Sequence, residues 1–163
     1  MSNRNSQALG LNHNTPTNSL LSGKSVLICD DSAIQRRKLR ELFHSLDLQC
    51  VAECGNGLEC LNIAETLKPD LVSLDVLMPV MHGLETVKYL RENEFRGFVI
   101  FVSALGAEDA LNDYPFGSFA PDAIFSKRDT RDSFRNILEQ MFESQVLNES
   151  FQKQKMPLRK QAS

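Results

Sequence analysis

Val26-Leu27-Ile28-Cys29 is an uninterrupted apolar run that stops on the pair Asp30-Asp31. A strand with one wet face alternates apolar and polar residues; one with four apolar residues in succession is expected inside a parallel sheet covered on both sides. The figure returns along the chain. Leu71 to Asp75 follows the breaker Pro69, Phe98 to Val102 ends at Ser103, and Ala123 to Ser126 leads to Lys127, with a further strand near Gln49 to Cys54.

Between these runs the period lengthens to that of a helix. Ser32 is placed to cap a helix whose apolar stripe is Ile34, Leu39, Leu42, Phe43 and Leu46, with Arg36, Arg37, Lys38 and Arg40 on the solvated side. A second helix is expected from Gly57 to Leu67 and a shorter one after Gly83. The closing helix starts near Thr130 and buries Phe134, Ile137, Leu138, Met141 and Phe142. Five strands alternating with helices predict an α/β fold, a doubly wound five-stranded parallel sheet with helices on both faces. A helix from Ala107 to about Tyr114 is expected to stop early at Pro115, Gly117 and Pro121.

The 163 residues fit one domain with tails. Residues 1–23, rich in Asn, Ser and Thr, read as a disordered leader; residues 24–143 carry the fold; residues 144–163 read as a polar, basic tail. Residues 24–143 hold 13 Lys and Arg against 20 Asp and Glu, a net of −7, so no nucleic-acid partner is expected. No apolar run reaches the roughly 18 residues of a membrane span, which predicts a cytoplasmic protein. Cys29, Cys50, Cys54 and Cys60 lack paired Cys-x-x-Cys spacing and read as buried or half-buried free thiols, not as a zinc site. His13, His44 and His82 are too dispersed to act as a ligand set.

In a doubly wound sheet, residues just past the carboxyl ends of the strands meet in one crevice. Asp30, Asp31, Asp75, Ser103 and Lys127 all hold such positions. Singly, each has an ordinary explanation: Asp30 or Ser103 as a helix cap, Lys127 as a surface charge. Together they suggest phosphoryl chemistry. Asp75 has the nucleophile of an acyl phosphate, and Asp30 and Asp31 suit a hard cation such as Mg²⁺ that offsets the clustered negative charge. Lys127 and Ser103 suit phosphate oxygens.

Read jointly, Val26-Leu-Ile-Cys-Asp-Asp-Ser, Cys54-Gly-Asn-Gly-Leu-Glu, Pro69-Asp-Leu-Val-Ser-Leu-Asp75-Val-Leu-Met-Pro79, Met81-His-Gly83, Ser103-Ala104 and Lys127 resemble the receiver domain of two-component response regulators. The resemblance runs from about Lys24 to Phe142 and implies the flavodoxin-like, CheY-like strand order 2-1-3-4-5. It also implies phosphorylation of Asp75 by a histidine kinase or phosphotransfer protein, with Mg²⁺ held by Asp31, Asp75 and the Leu77 backbone carbonyl, assisted by Asp30. The expected product is a stand-alone receiver, a monomer with phosphorylation-induced dimerisation as the alternative, that switches its affinity for a downstream protein and has no DNA-binding output. Its only catalysis would be of its own phosphorylation and dephosphorylation; a phosphate sink or a phosphorylation-independent adaptor are the alternatives.

Three departures from the family's pattern stand out. Arg128 follows Lys127 where the family has proline, so a trans or reshaped loop is expected. Ile124 replaces the family's switch aromatic. The stretch from Leu105 to Pro121 is irregular. A haloacid dehalogenase-type phosphatase would also use an aspartyl phosphate, but it needs Asp-x-Asp, and Leu77 stands two residues after Asp75.

Overall fold

A computed structural model of the chain describes residues 19–104 and 119–155. The strands are β1 (Ser25–Cys29), β2 (Gln49–Cys54), β3 (Leu71–Leu74), β4 (Phe98–Ser103) and β5 (Ala123–Ser126). The helices are α1 (Ala33–Ser45), α2 (Gly57–Leu67), α3 (Gly83–Glu92) and α4 (Arg131–Lys155). All pairings are parallel, in the order β2-β1-β3-β4-β5. The parallel doubly wound sheet is the one expected from the alternation, and its strand order is the one the resemblance implies.

The apolar strands are explained by two cores, one on each sheet face. Successive strand residues point to opposite sides. Val26, Ile28, Ile100, Val102 and Phe125 pack under α1 and α4 against Phe43, Phe134, Leu138 and Phe142. Leu27, Cys29, Val72, Leu74, Val99 and Phe101 pack under α2 and α3 against Cys60, Ala64, Val87 and Leu90. No strand residue in the middle of the sheet has a wet side to give to a polar group.

Acidic side chains fasten the sheet's amino edge. Asp70 Oδ2 accepts from both the backbone N–H and the hydroxyl of Ser25 at 2.8 Å, joining β1 to the start of β3. Asp122 Oδ2 accepts from the Val99 N–H at 2.7 Å and pairs with Arg91. At the opposite edge, where the strands end, the helix caps take over. Ser32 Oγ accepts from the Gln35 N–H, and Asn56 Oδ1 accepts from the Glu59 N–H at 3.0 Å. Glu59 Oε2 in turn accepts from the N–H of Gly55, the residue before the cap, at 3.2 Å.

Several expectations need correction. Leu21, assigned to the leader, is fully buried against the α1/α4 core, because Ser19–Gly23 folds back as a turn before β1. Ile34, assigned to the buried stripe, is 70% exposed: it sits in the first turn of α1, beyond the end of β1, where no sheet lies beneath it. The tail expected from residue 144 is helical to Lys155, since α4 continues after its last buried residue, Phe142. Its extension shows Val146, Leu147 and Phe151 to solvent. The helix expected between Ala107 and Tyr114 lies outside the described residues. Among the described residues no helix is long and apolar enough to cross a membrane.

Candidate functional site

The carboxyl ends of β1, β3 and β5 bring Asp30, Asp75 and Lys127 together, and Ser103 ends β4, the strand between β3 and β5. The main chain sets the spacing. Asp30 N–H donates to Cys54 O at 3.1 Å and Asp75 N–H to Cys29 O at 2.8 Å, so the first residue after each strand continues the ladder. Carboxylate oxygens of Asp30, Asp31 and Asp75 lie within 4.8 Å of one another. Asp30 and Asp75 are buried, whereas Asp31 faces solvent.

Lys127 is the counter-charge. Its Nζ stands 2.7 Å from Asp30 Oδ2 and 3.1 Å from Asp75 Oδ2. Only the contact with Asp75 has hydrogen-bond geometry, which leaves Asp30 Oδ2 ion-paired but without a directed donor. The other oxygens are occupied by backbone: Asp30 Oδ1 accepts from Ser32 N–H and Asp75 Oδ1 from Val76 N–H, both at 2.9 Å. Burial raises the Asp75 pKa above its ordinary value; Lys127 opposes this and Asp30 adds to it. Burial alone would lower Lys127, but Asp30 and Asp75 outweigh it and hold the ammonium above its ordinary value.

The loop that carries Lys127 replaces the missing proline with hydrogen bonds. All peptide bonds among the described residues are trans. Lys127 N–H donates to Ser103 O at 2.8 Å, tying β5 to β4. Asp129 Oδ2 accepts from Ser126 N–H at 2.8 Å and Asp129 N–H returns to Ser126 O at 2.9 Å. Ser103 itself is 3% exposed beneath this loop. Ile124 is half-buried in the α2/α3 core.

Leu77 stands in the loop two residues past Asp75 with its side chain turned to solvent. Gly83 starts α3 under the same loop, and its N–H donates to Val76 O at 3.0 Å. A Cβ at Gly83 would collide with the Asp75 carbonyl oxygen, so only glycine fits there. His82 takes the cap position of α3 without a side-chain cap bond, consistent with a loop variation.

Arg36 is the residue that sequence reasoning undervalued. Assigned to a solvated face, it instead donates from Nη1 to the Asp30 carbonyl at 2.8 Å, with Nε 3.3 Å from Glu53. It thereby braces the acidic loop from outside. Its position one turn into a helix that opens straight after Asp-Asp was the available signal. Arg40 joins Glu53 and Arg37 joins Glu41, so those two do form a charged surface.

A hard divalent cation suits this donor set. Three carboxylates face one ammonium, one of them keeps an oxygen without a directed donor, and Asp31 opens the cluster to water.

The fold and the placement of this crevice are those of a receiver domain, and the comparisons agree. The chain matches the response regulator receiver domain over residues 26–116, more than half its length, and it belongs to that family. It is 35% identical over 88 residues to the chemotaxis protein CheY of Listeria monocytogenes, the match covering 54% of this chain and 74% of that one. It is 37% identical over 98 residues to a protein-glutamate methylesterase/protein-glutamine glutaminase of Syntrophomonas wolfei, covering 58% of this chain but only 28% of that relative. Among solved structures, it is similar to the CheX-CheY-BeF3-Mg complex of Borrelia burgdorferi, with a TM-score of 0.66 at 25% identity, covering 74% of this chain and 90% of the other. It is also similar to the response regulator domain of Thermotoga maritima CheB, with a TM-score of 0.62 at 27% identity, covering 75% and 95%.

Proposed function

We propose that Asp75 is the phosphoacceptor of a two-component phosphorelay, taking a phosphoryl group from the phosphohistidine of a histidine kinase or phosphotransfer protein. The observation that carries this reading is the meeting of Asp75 with Lys127 at 3.1 Å beside two further carboxylates. An Asp75 oxygen forms its bond to phosphorus as the phosphorus–nitrogen bond breaks, the pair returning to the imidazole. Burial of the acceptor disfavours its ionised form, and Lys127 limits that penalty and supplies positive charge for the incoming oxygens. Ser103 is the hydroxyl partner of the phosphoryl group.

Asp30, Asp31 and Asp75, with the Leu77 carbonyl, are the residues that would hold Mg²⁺. Bound there, the ion supplies neutralising charge for the carboxylates and for the phosphoryl oxygens. The related Borrelia complex contains CheY with BeF3 and Mg, which supports the same chemistry here. The receiver unit spans residues 24–143, acts in the cytoplasm and changes its affinity for a protein target on phosphorylation. It catalyses only its own phosphoryl transfer and hydrolysis. The exposed Ile34 and the basic face of α1 beside the crevice suit docking of the phosphodonor protein.

A Mg²⁺ titration by calorimetry tests the cation site. One ion per chain is expected for the wild type and none for Asp31→Ala. Equal binding by both chains would move the ion away from this crevice.

A further inference from the structure

Beneath the acidic crevice lies a second cluster that the phosphoacceptor chemistry does not use. The sulfur atoms of Cys29, Cys54 and Cys60 lie within 4.8 Å of one another. Their side chains come from three elements: Cys29 and Cys54 are register partners at the ends of β1 and β2, and Cys60 faces them from the first turn of α2. All three are buried, at 1%, 5% and 0% exposure. A fourth sulfur joins them, because Met78 Sδ stands 3.5 Å from Cys29 Sγ and is itself buried.

We propose that Cys29, Cys54 and Cys60, flanked by Met78, form a site for a soft, thiophilic monovalent cation, copper(I).

The ligand types select the ion. Three thiolates with a thioether are the donors that monovalent copper prefers, while Mg²⁺ and Ca²⁺ require oxygen ligands. Zinc takes four strong nitrogen, sulfur or oxygen donors, and a thioether is a weak fourth. The cysteines and Met78 belong to the apolar core that also holds Leu27, Ala64, Leu74, Val76 and Val87. Two backbone carbonyls accept from the thiols, Asn56 O at 3.3 Å from Cys29 Sγ and Ile28 O at 3.9 Å from Cys54 Sγ.

The spacing fits as well. Three sulfurs around one ion at about 2.3 Å each stand about 4 Å apart, so the observed separations need to contract by less than about 1 Å. Each thiol that ligates passes its proton to solvent and forms a sulfur–copper bond; no electron is exchanged. Because Cys29 precedes Asp30, an occupied sulfur site would bind β1, β2 and α2 together directly under the acidic loop. The inference does not depend on the phosphoacceptor reading.

The test is an anaerobic titration of the whole chain with copper(I) against a chromogenic copper(I) chelator, followed by intact mass. Cys50 is the internal control, since it is partly exposed and outside the cluster. Wild type and Cys50→Ala are expected to hold one copper(I) each. Cys54→Ala and Cys60→Ala, each verified as folded by thermal melting, are expected to bind at least about 100-fold more weakly. The proposal is overturned if wild type takes up no copper, if Cys50→Ala loses it, or if the cluster variants hold it as well as wild type does. A loss of about 2 Da without bound metal would mark a disulfide-forming pair instead and would equally overturn it.

Discussion

Lys127 reaches Asp75 at 3.1 Å from a loop in which arginine follows the lysine. A trans backbone delivers the amine because Asp129 grips the Ser126 N–H and the Lys127 N–H holds Ser103 O. The Asp129 carboxylate therefore does in this chain the ordering that a rigid ring would otherwise do.

Asp129→Ala is accordingly expected to loosen Lys127 while leaving the core intact. Misplacing a charged group by about 1 Å costs up to about 100-fold in rate. Phosphate uptake from a small acyl-phosphate donor should slow by about 10- to 100-fold, with a nearly unchanged melting temperature. An unaltered rate would mean that the ladder to Ser103 alone positions the lysine.

The raised pKa of Asp75 carries a stability consequence. Its carboxyl holds its proton in the folded chain after the unfolded chain has released it, in a window that opens at its ordinary value of 3.8 and extends upward. Across that window the folded state binds more protons, so stability falls as pH rises, and the deficit persists at neutral pH. Asp75→Asn is expected to melt at a higher temperature than wild type at pH 7, with the difference closing as pH drops below 3.8. Melting curves from pH 3 to pH 8 decide this, and a gap that does not change with pH would contradict it.

Gly83→Ala tests how tightly the acceptor loop is fitted. The new methyl would meet the Asp75 carbonyl oxygen and lie 3.1 Å from Val76 Cα, both backbone atoms that cannot rotate away. A cost of about 2–3 kcal/mol is expected from overpacking, together with loss of phosphate uptake as Asp75 is displaced. Urea unfolding measures the first effect, and a midpoint equal to wild type would show that α3 can shift without strain.

Two phenylalanines of α4 are expected to behave oppositely. Phe134 stacks on Phe125 with centroids 4.0 Å apart and meets Phe43 edge-on. Phe134→Ala should cost about 3–5 kcal/mol. Phe151 is 61% exposed on the extension beyond the core, so Phe151→Ala should stay within about 0.5 kcal/mol. A large loss at Phe151 would show that the extension is covered in solution.

Strands β1, β3 and β4 were legible because their runs are mostly apolar and buried on both faces, and the candidate site was legible because Asp30 and Asp75 follow such runs, Ser103 closes one and Lys127 follows β5. What was hidden is what depends on packing between distant segments. Leu21 looks like part of a polar leader until the turn before β1 folds it inward. Arg36 looks like surface charge until the loop carbonyl of Asp30 is in place. The cysteines at 29, 54 and 60 share no sequence spacing, and only the register of β1 with β2 under α2 brings them together.

Intact mass after incubation with Mg²⁺ and a small acyl-phosphate donor, wild type beside Asp75→Ala, tests the central claim most directly. The account predicts a gain of one phosphate, about 80 Da, on the wild type alone. A gain of the same size on Asp75→Ala would contradict it, as would a wild type that binds Mg²⁺ yet stays unmodified with both this donor and a phosphohistidine donor.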